Sequence, residues 1–395
     1  MKSLLHAYGL CGLLCLSGLS QTANATPFIP GSGTQVLETL PSRNDPLQRE
    51  LQQLRTALAA NPKDVRTAVS LARRYVEVWR DGGDPRYLGY AQAALTPWWA
   101  MPDPPLAVRV MRATLLQSTH KFSAALADLN AVVRLDRDNA QAWLTRATIL
   151  QVLGDYPAAR ASCAQLSRLA PALIVQTCLS SVASLNGEAE TAYRQLDDLL
   201  RQATDTTPDI RIWVQTLLGE IAQRRGDFKA ARRQFEQAMA LGVPDSYLLA
   251  AYADFLLHQN EPEKVIQLLS QKTQIDALLL RYAIALQHTQ SPQALKYSTM
   301  LAQRFEAARM RGDTIHQREQ ARYELELAKD PAVALHVAQQ NWQVQKEPAD
   351  TRLLLQAAVA AKDPAAAEPL LVWLRGTRLE DSELAPLIVA IGSAR

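Results

Sequence analysis

The chain is poor in the residues that do chemistry. Its 395 residues include only 6 His and 4 Cys. Beyond residue 25 the histidines are His120, His258, His288, His316 and His336, too scattered in sequence for any metal-ligand spacing. No Gly-rich loop runs into a Lys, and neither Gly-x-Ser-x-Gly nor His-Glu-x-x-His occurs. A lone Ser-x-x-Lys, Ser118 to Lys121, falls in a turn between two helical patterns and is a chance match. No catalytic residue, metal or cofactor is expected from such a sequence. A β-rich region is missing as well, so the expected fold class is all-α. After the first 25 residues no apolar run approaches the roughly 20 residues a membrane helix needs, so no stable membrane insertion is expected.

Charge of one sign is also lacking. Setting Lys2 aside, 41 basic residues stand against 39 acidic ones. That balance offers no electrostatic basis for binding nucleic acid or an anionic membrane surface. The N-terminus itself reads as an export signal: Lys2, an apolar stretch from Leu4 to Leu19, then Ala23-Asn24-Ala25 as a small-x-small cleavage site. Cys11 and Cys15 follow Leu10 and Leu14, where a lipobox wants a small residue, so lipidation is not expected. The expectation is an exported chain cut after Ala25, placed in the periplasm rather than outside the cell.

What the sequence does have is a period. Ala113, Phe122 and Ala125 return 34 residues later as Ala147, Tyr156 and Ala159. From Ala142 to Arg160 the order is Trp, small residue, Gly, Tyr and Ala, with Pro171 beyond. A weaker copy carries Gly187 and Ala192, and a strong one Gly219, Gly226, Phe228, Ala231, Phe235 and Ala238. This pattern resembles the tetratricopeptide repeat, a helix–turn–helix unit of this length. Arg137 and His120 depart from the family's Pro and Gly. The resemblance implies a superhelical solenoid of helix–turn–helix pairs that holds a partner and does not catalyse. Along the chain it divides into a signal peptide (1–25), an extended Pro- and Gly-containing arm (26–45) and irregular N-terminal repeats with an aromatic-rich connector (46–105). The best-matching repeats follow (106–245), then degenerate repeats (246–375) and a C-terminal capping helix (376–395). The charge-dense stretch 304–329 reads as solvated helix.

Cys163 and Cys178 remain after export, and a pair in an oxidising compartment invites a disulfide. Each lies about seven residues from the turn at Ala170-Pro171, so both stand at one level of antiparallel helices. Two thiols that face past each other across packed helices remain the alternative.

In the repeat family, ligands lie on the concave face of the first helix of each pair. Those positions fall here on Thr114, Gln117, Gln141, Leu144, Thr148, Gln151, Thr177, Ser181 and Ser184. These residues make a neutral, hydrogen-bonding face, suited to an extended peptide or a polar chain, or else an ordinary solvated concave surface. Tyr75, Trp79, Tyr87, Tyr90, Trp98 and Trp99 form an aromatic cluster that is either core or contact surface. Trp98 and Trp99, in the Pro-rich connector 97–105, are the members expected to be exposed. The functional expectation is a scaffold for another envelope protein. The alternative is a binding module for a polar small molecule or a polysaccharide stacked on those two indoles.

Overall fold

The computed structural model describes Ser32, Thr34, residues 45–243 and residues 245–393. The signal peptide, almost all of the arm and Pro244 lie outside the described residues. The chain divides into two units, Met1–Arg49 and Glu50–Arg395, and the second carries the repeats.

The described residues form helices and no strand. Helix α1 (Pro46–Ala60) leads to α2 (Val65–Gly82) and α3 (Arg86–Ala94), followed by one short turn, α4 (Thr96–Trp99). The regular pairs are α5 (Leu106–Ser118) with α6 (Phe122–Leu135), and α7 (Ala140–Val152) with α8 (Tyr156–Gln165). Next come α9 (Ala172–Ala183) with α10 (Ala189–Gln202), and α11 (Pro208–Arg224) with α12 (Phe228–Met239). The succession continues with α13 (Ser246–His258), α14 (Pro262–Leu269), α15 (Asp276–His288) and α16 (Ala294–Met310). Then α17 (Gln317–Tyr323), running on as a π-turn over Glu324–Ala328, pairs with α18 (Pro331–Val344). Last are α19 (Pro348–Ala360), α20 (Glu368–Thr377) and α21 (Leu384–Ser393).

The local chemistry explains the pairs. Gly154, Gly187 and Gly226 adopt φ of 80°, 79° and 77°, the left-handed conformation that ends the first helix of a pair. His120, Asn260 and Gln290 take the same conformation without being Gly, at φ of 54°, 55° and 54°. One residue after the glycine, Asp155 and Asp227 accept hydrogen bonds from the amides of Ala158 and Ala230, capping the second helix. Ala159 and Ala231 are fully buried where paired helices cross. Gly219 is small for a related reason: a Cβ there would meet the buried Phe235 ring at 2.8 Å. Gly219→Ala should therefore destabilise the fold by about 1–3 kcal/mol in a urea titration, and an unchanged midpoint would show that the ring can yield.

Two stretches are locally distinct. At the start of the connector 97–105, Thr96–Trp99 make a helical turn that turns Trp98 inward. Two arginines grip the segment after that turn. Arg109 donates to the carbonyls of Pro102 and Pro104, and Arg112 to those of Trp99 and Met101. In the last repeats Asp363-Pro364 opens a short 3-10 turn, Ala365–Ala367, and the α-helix starts only at Glu368.

Cys163 and Cys178 are joined by a disulfide between α8 and α9, with Cα atoms 5.6 Å apart. The bridge is buried in a cluster with Tyr156, Leu166 and Val182. Its 15-residue separation corresponds to about 3 kcal/mol of loop-closure stabilisation. The Cys163→Ser/Cys178→Ser protein should lose about that much in chemical denaturation. A loss below about 1 kcal/mol would mean that helix packing alone holds this pair.

Candidate functional site

The solenoid winds back on itself. The turns that join the two helices of each early pair form a row, and loops from much later in the chain lie against that row. Ile275 lies against Gly83, and the Ser246 hydroxyl donates to the Arg80 carbonyl at 2.8 Å. At the next turn, burial and then the nearby Arg318 charge push the His120 imidazole below its ordinary pKa. The Lys346 amide donates to the Val152 carbonyl at 2.7 Å, and Trp373 lies over Gly154 and the Tyr156 ring. Arg378 covers Gly187, and the Ser382 amide donates to the Arg224 carbonyl at 2.7 Å. One superhelical turn is thus stacked directly on the previous one, with main-chain hydrogen bonds between them.

Ion pairs between first helices of different pairs hold the inside. Asp254 on α13 accepts from Arg281 on α15 and from Arg322 on α17, both at 2.5 Å. Burial raises the Asp254 pKa, but the two guanidinium groups outweigh it and hold the carboxyl down at about 2. Arg318 pairs with Asp350 and Glu347, and Arg352 with Asp381. The charges of 304–329 are therefore not all solvated: Arg318 and Arg322 are internal ties. Glu220 and Arg224, one helical turn apart on α11, do not pair with each other. Tyr247 donates to Glu220 at 2.6 Å, and Arg224 donates to the Ser184 hydroxyl at 2.9 Å. Burial pushes the Glu220 carboxyl up. Glu220 in turn is the first cause that raises the Tyr247 phenol, although Tyr247 as a residue is 61% exposed. Where the two turns meet, the Tyr156 hydroxyl and the Arg224 Nε find no hydrogen-bond partner among the described residues.

Most of the concave-face residues expected from sequence have their hydrogen bonds filled from within. Thr114, Thr148 and Thr177 donate to the carbonyls of Val110, Leu144 and Leu173, four residues earlier on their own helices. Ser184 donates to the Ser181 carbonyl, Ser181 to Gln151, and Gln141 to Thr145. Leu144 packs against the disulfide cluster, and Gln117 is half-buried. Thr177 and Ser184 are fully buried. Of the aromatic pair, Trp98 is 6% exposed, contrary to its expected exposure, and Trp99 is half-buried. The Trp98 indole therefore offers no open stacking face. The rest of the cluster is partly core: Tyr75 is buried against Tyr87 and Tyr90, and Tyr90 alone of the three is well exposed.

Sequence reasoning did not single out a groove of about 490 Å³ on the outer side of α6, α7 and α8. It is lined by Asn130, Val133, Arg134, Trp143, Arg146 and Gln165. These residues lie toward the end of each pair away from the row of turns that the later loops cover. Arg146 stands over the Trp143 ring at 6.0 Å.

The fold so defined is a helix–turn–helix solenoid of the tetratricopeptide type. No protein-family model matches the sequence, and no curated protein matches it. Among solved structures, the Cut9–Hcn1 hetero-tetramer of the APC/C is similar over 79% of this chain and 52% of that one, with 13% identity and a TM-score of 0.43. A tetratricopeptide repeat protein from Parabacteroides merdae aligns over 72% of this chain and 98% of its own, with 13% identity and a TM-score of 0.36. Human IFIT1, solved as a dimer with m7Gppp-AAAA, aligns over 88% and 77%, with 14% identity and a TM-score of 0.39. The chain spans about half the length of the first of these, 52%.

Proposed function

We propose that this chain is an exported, non-catalytic scaffold of the bacterial envelope that holds another protein on its outer surface. The observation that carries the reading is the stacking of the superhelical turns. The Lys346 and Ser382 amides and the Asp254 and Arg318 ion pairs are committed to holding the coil closed. A concave face closed in this way leaves the convex side and the rims for a partner, and a coil fixed by its own contacts is preorganised to bind. Export is supported by the signal-like N-terminus and by the buried Cys163–Cys178 bridge, a bond that persists in oxidising compartments. The periplasm is the compartment we assign.

Affinity capture from the envelope of the source cells, using residues 26–395, tests this. A Gln117→Ala/Thr148→Ala/Gln151→Ala protein serves as the inner-face comparison. Both proteins should retain the same polypeptide. Loss of that polypeptide from the triple variant would move the contact to the concave face. Retention of none by either protein would contradict the scaffold reading.

A further inference from the structure

The outer groove of α6, α7 and α8 has a counterpart in the chain's own preceding repeat, 34 residues earlier. Arg146 corresponds to Arg112, Ser162 to Asp128, Trp143 to Arg109 and Val133 to Trp99. In the earlier repeat the guanidinium is fully engaged. Arg112 makes two bonds to the Asp128 carboxylate, at 2.6 and 2.7 Å, and also donates to the carbonyls of Trp99 and Met101. In the later repeat the carboxylate has become a hydroxyl and the indole a small Val. Arg146 is left with the neutral partners Asn130 and Ser162. No carboxylate lies within ion-pair distance of Arg146 or of the exposed Arg134 among the described residues. Several other inter-helix arginines do pair with Asp or Glu, among them Arg112, Arg160, Arg232 and Arg281. The missing carboxylate coincides with the open volume of about 490 Å³.

We propose that this groove binds an extended acidic segment of a partner protein, whose Asp or Glu supplies in trans the carboxylate that Asp128 supplies in cis. The carboxylate takes the free side of the Arg146 guanidinium, with Arg134 adding charge at the rim. The segment's main-chain carbonyls complete the guanidinium's donors, as those of Trp99 and Met101 do for Arg112. The proposal rests on the scaffold reading and names the chemistry of its partner.

The direct test is fluorescence anisotropy with a labelled peptide, Gly-Ser-Asp-Glu-Trp-Asp-Glu-Ser-Gly, and a control in which every acid is Lys. Wild-type protein should bind the acidic peptide and not the control. Two variants separate binding from folding. Ser162→Asp rebuilds the earlier repeat's ion pair and should neutralise Arg146 internally. Arg134→Ala removes the charge at the exposed rim. Each should weaken the peptide by about tenfold or more, the scale of a lost charge-assisted hydrogen bond, while Ser162→Asp keeps or raises the melting temperature. Equal affinity in wild type and Ser162→Asp would overturn the proposal. So would no binding at up to about 1 mM peptide, or binding of polygalacturonate in place of the peptide. Envelope capture keeps the two readings apart. A polypeptide retained equally by wild type and Ser162→Asp would discard this groove and leave the scaffold standing. No retained polypeptide in either would remove the scaffold itself.

Discussion

Asp254→Ala should lower the stability of the folded chain by about 3 kcal/mol, because it removes the carboxylate that two poorly exposed guanidinium groups share. Arg281 and Arg322 both aim at this carboxylate from other helices, and their side chains are only 11% and 21% exposed. Removing the acceptor leaves Arg281 with the neutral carbonyls of Ala250 and Ala277, and Arg322 with Glu326. Asp254→Asn, which keeps an acceptor oxygen and the volume, should lose less. The same site gives a pH signature. The Asp254 pKa is depressed from 3.8 to about 2, so its stabilising contribution is present above the unfolded value and disappears as pH falls through about 2. Since the side chain is 31% exposed, the titrating part is discounted to about 1–2 kcal/mol. Urea midpoints measured between pH 5 and pH 2 should fall more steeply for wild type than for Asp254→Ala. Parallel curves would place the carboxylate outside the network.

Trp373→Ala should cost about 3 kcal/mol and act on one region. The indole makes an edge contact with Trp342 at 5.1 Å, leans on Tyr156 at 6.1 Å and lies over the Gly154 turn. It therefore bridges the second superhelical turn to the first. Its loss opens a gap in that contact, while most of the core of the early pairs comes from their own alanines and aromatics and should hold. Limited proteolysis should cut the variant first between about residues 311 and 395, with 106–245 persisting as a fragment. Cleavage spread evenly along the chain, or a stability change below about 1 kcal/mol, would show that Trp373 packs locally and joins nothing.

The helix–turn–helix pairs were legible in the sequence because their determinants are local. Ala159 at a crossing, Gly154 at a turn and Tyr156 after it fall at fixed spacing and need no knowledge of distant residues. The stacking of turns was not legible. It depends on the small rotation between neighbouring pairs summed over the coil, and no single residue encodes that. Lys346, Ser382, Arg318 and Arg322 look in sequence like ordinary polar surface, yet in space they meet Val152, Arg224, Asp350 and Asp254. Reading Thr177 and Ser184 as groove donors failed for a related reason. Ser and Thr on a helix can satisfy themselves from the preceding carbonyl, and burial does not show in residue type. Trp98 went inward because Pro97 starts a helical turn and does not extend the chain. The outer groove did leave a signal, the change of Arg-and-Asp to Arg-and-Ser between positions 112/128 and 146/162. It appears only when the repeats are compared with each other and not with the family pattern.

The closed coil is tested most directly by amide hydrogen exchange at Lys346 and Ser382. Both residues lie in loops just before α19 and α21, where no helix supplies an acceptor. Their amides are covered only by the carbonyls of Val152 and Arg224 on the other turn. Slow exchange at both positions, accelerated together by Trp373→Ala, is the expected result. Exchange at the rate of an unstructured loop in the wild-type protein would mean that the turns are apart in solution, that the inner face is open, and that the partner surface must be sought there.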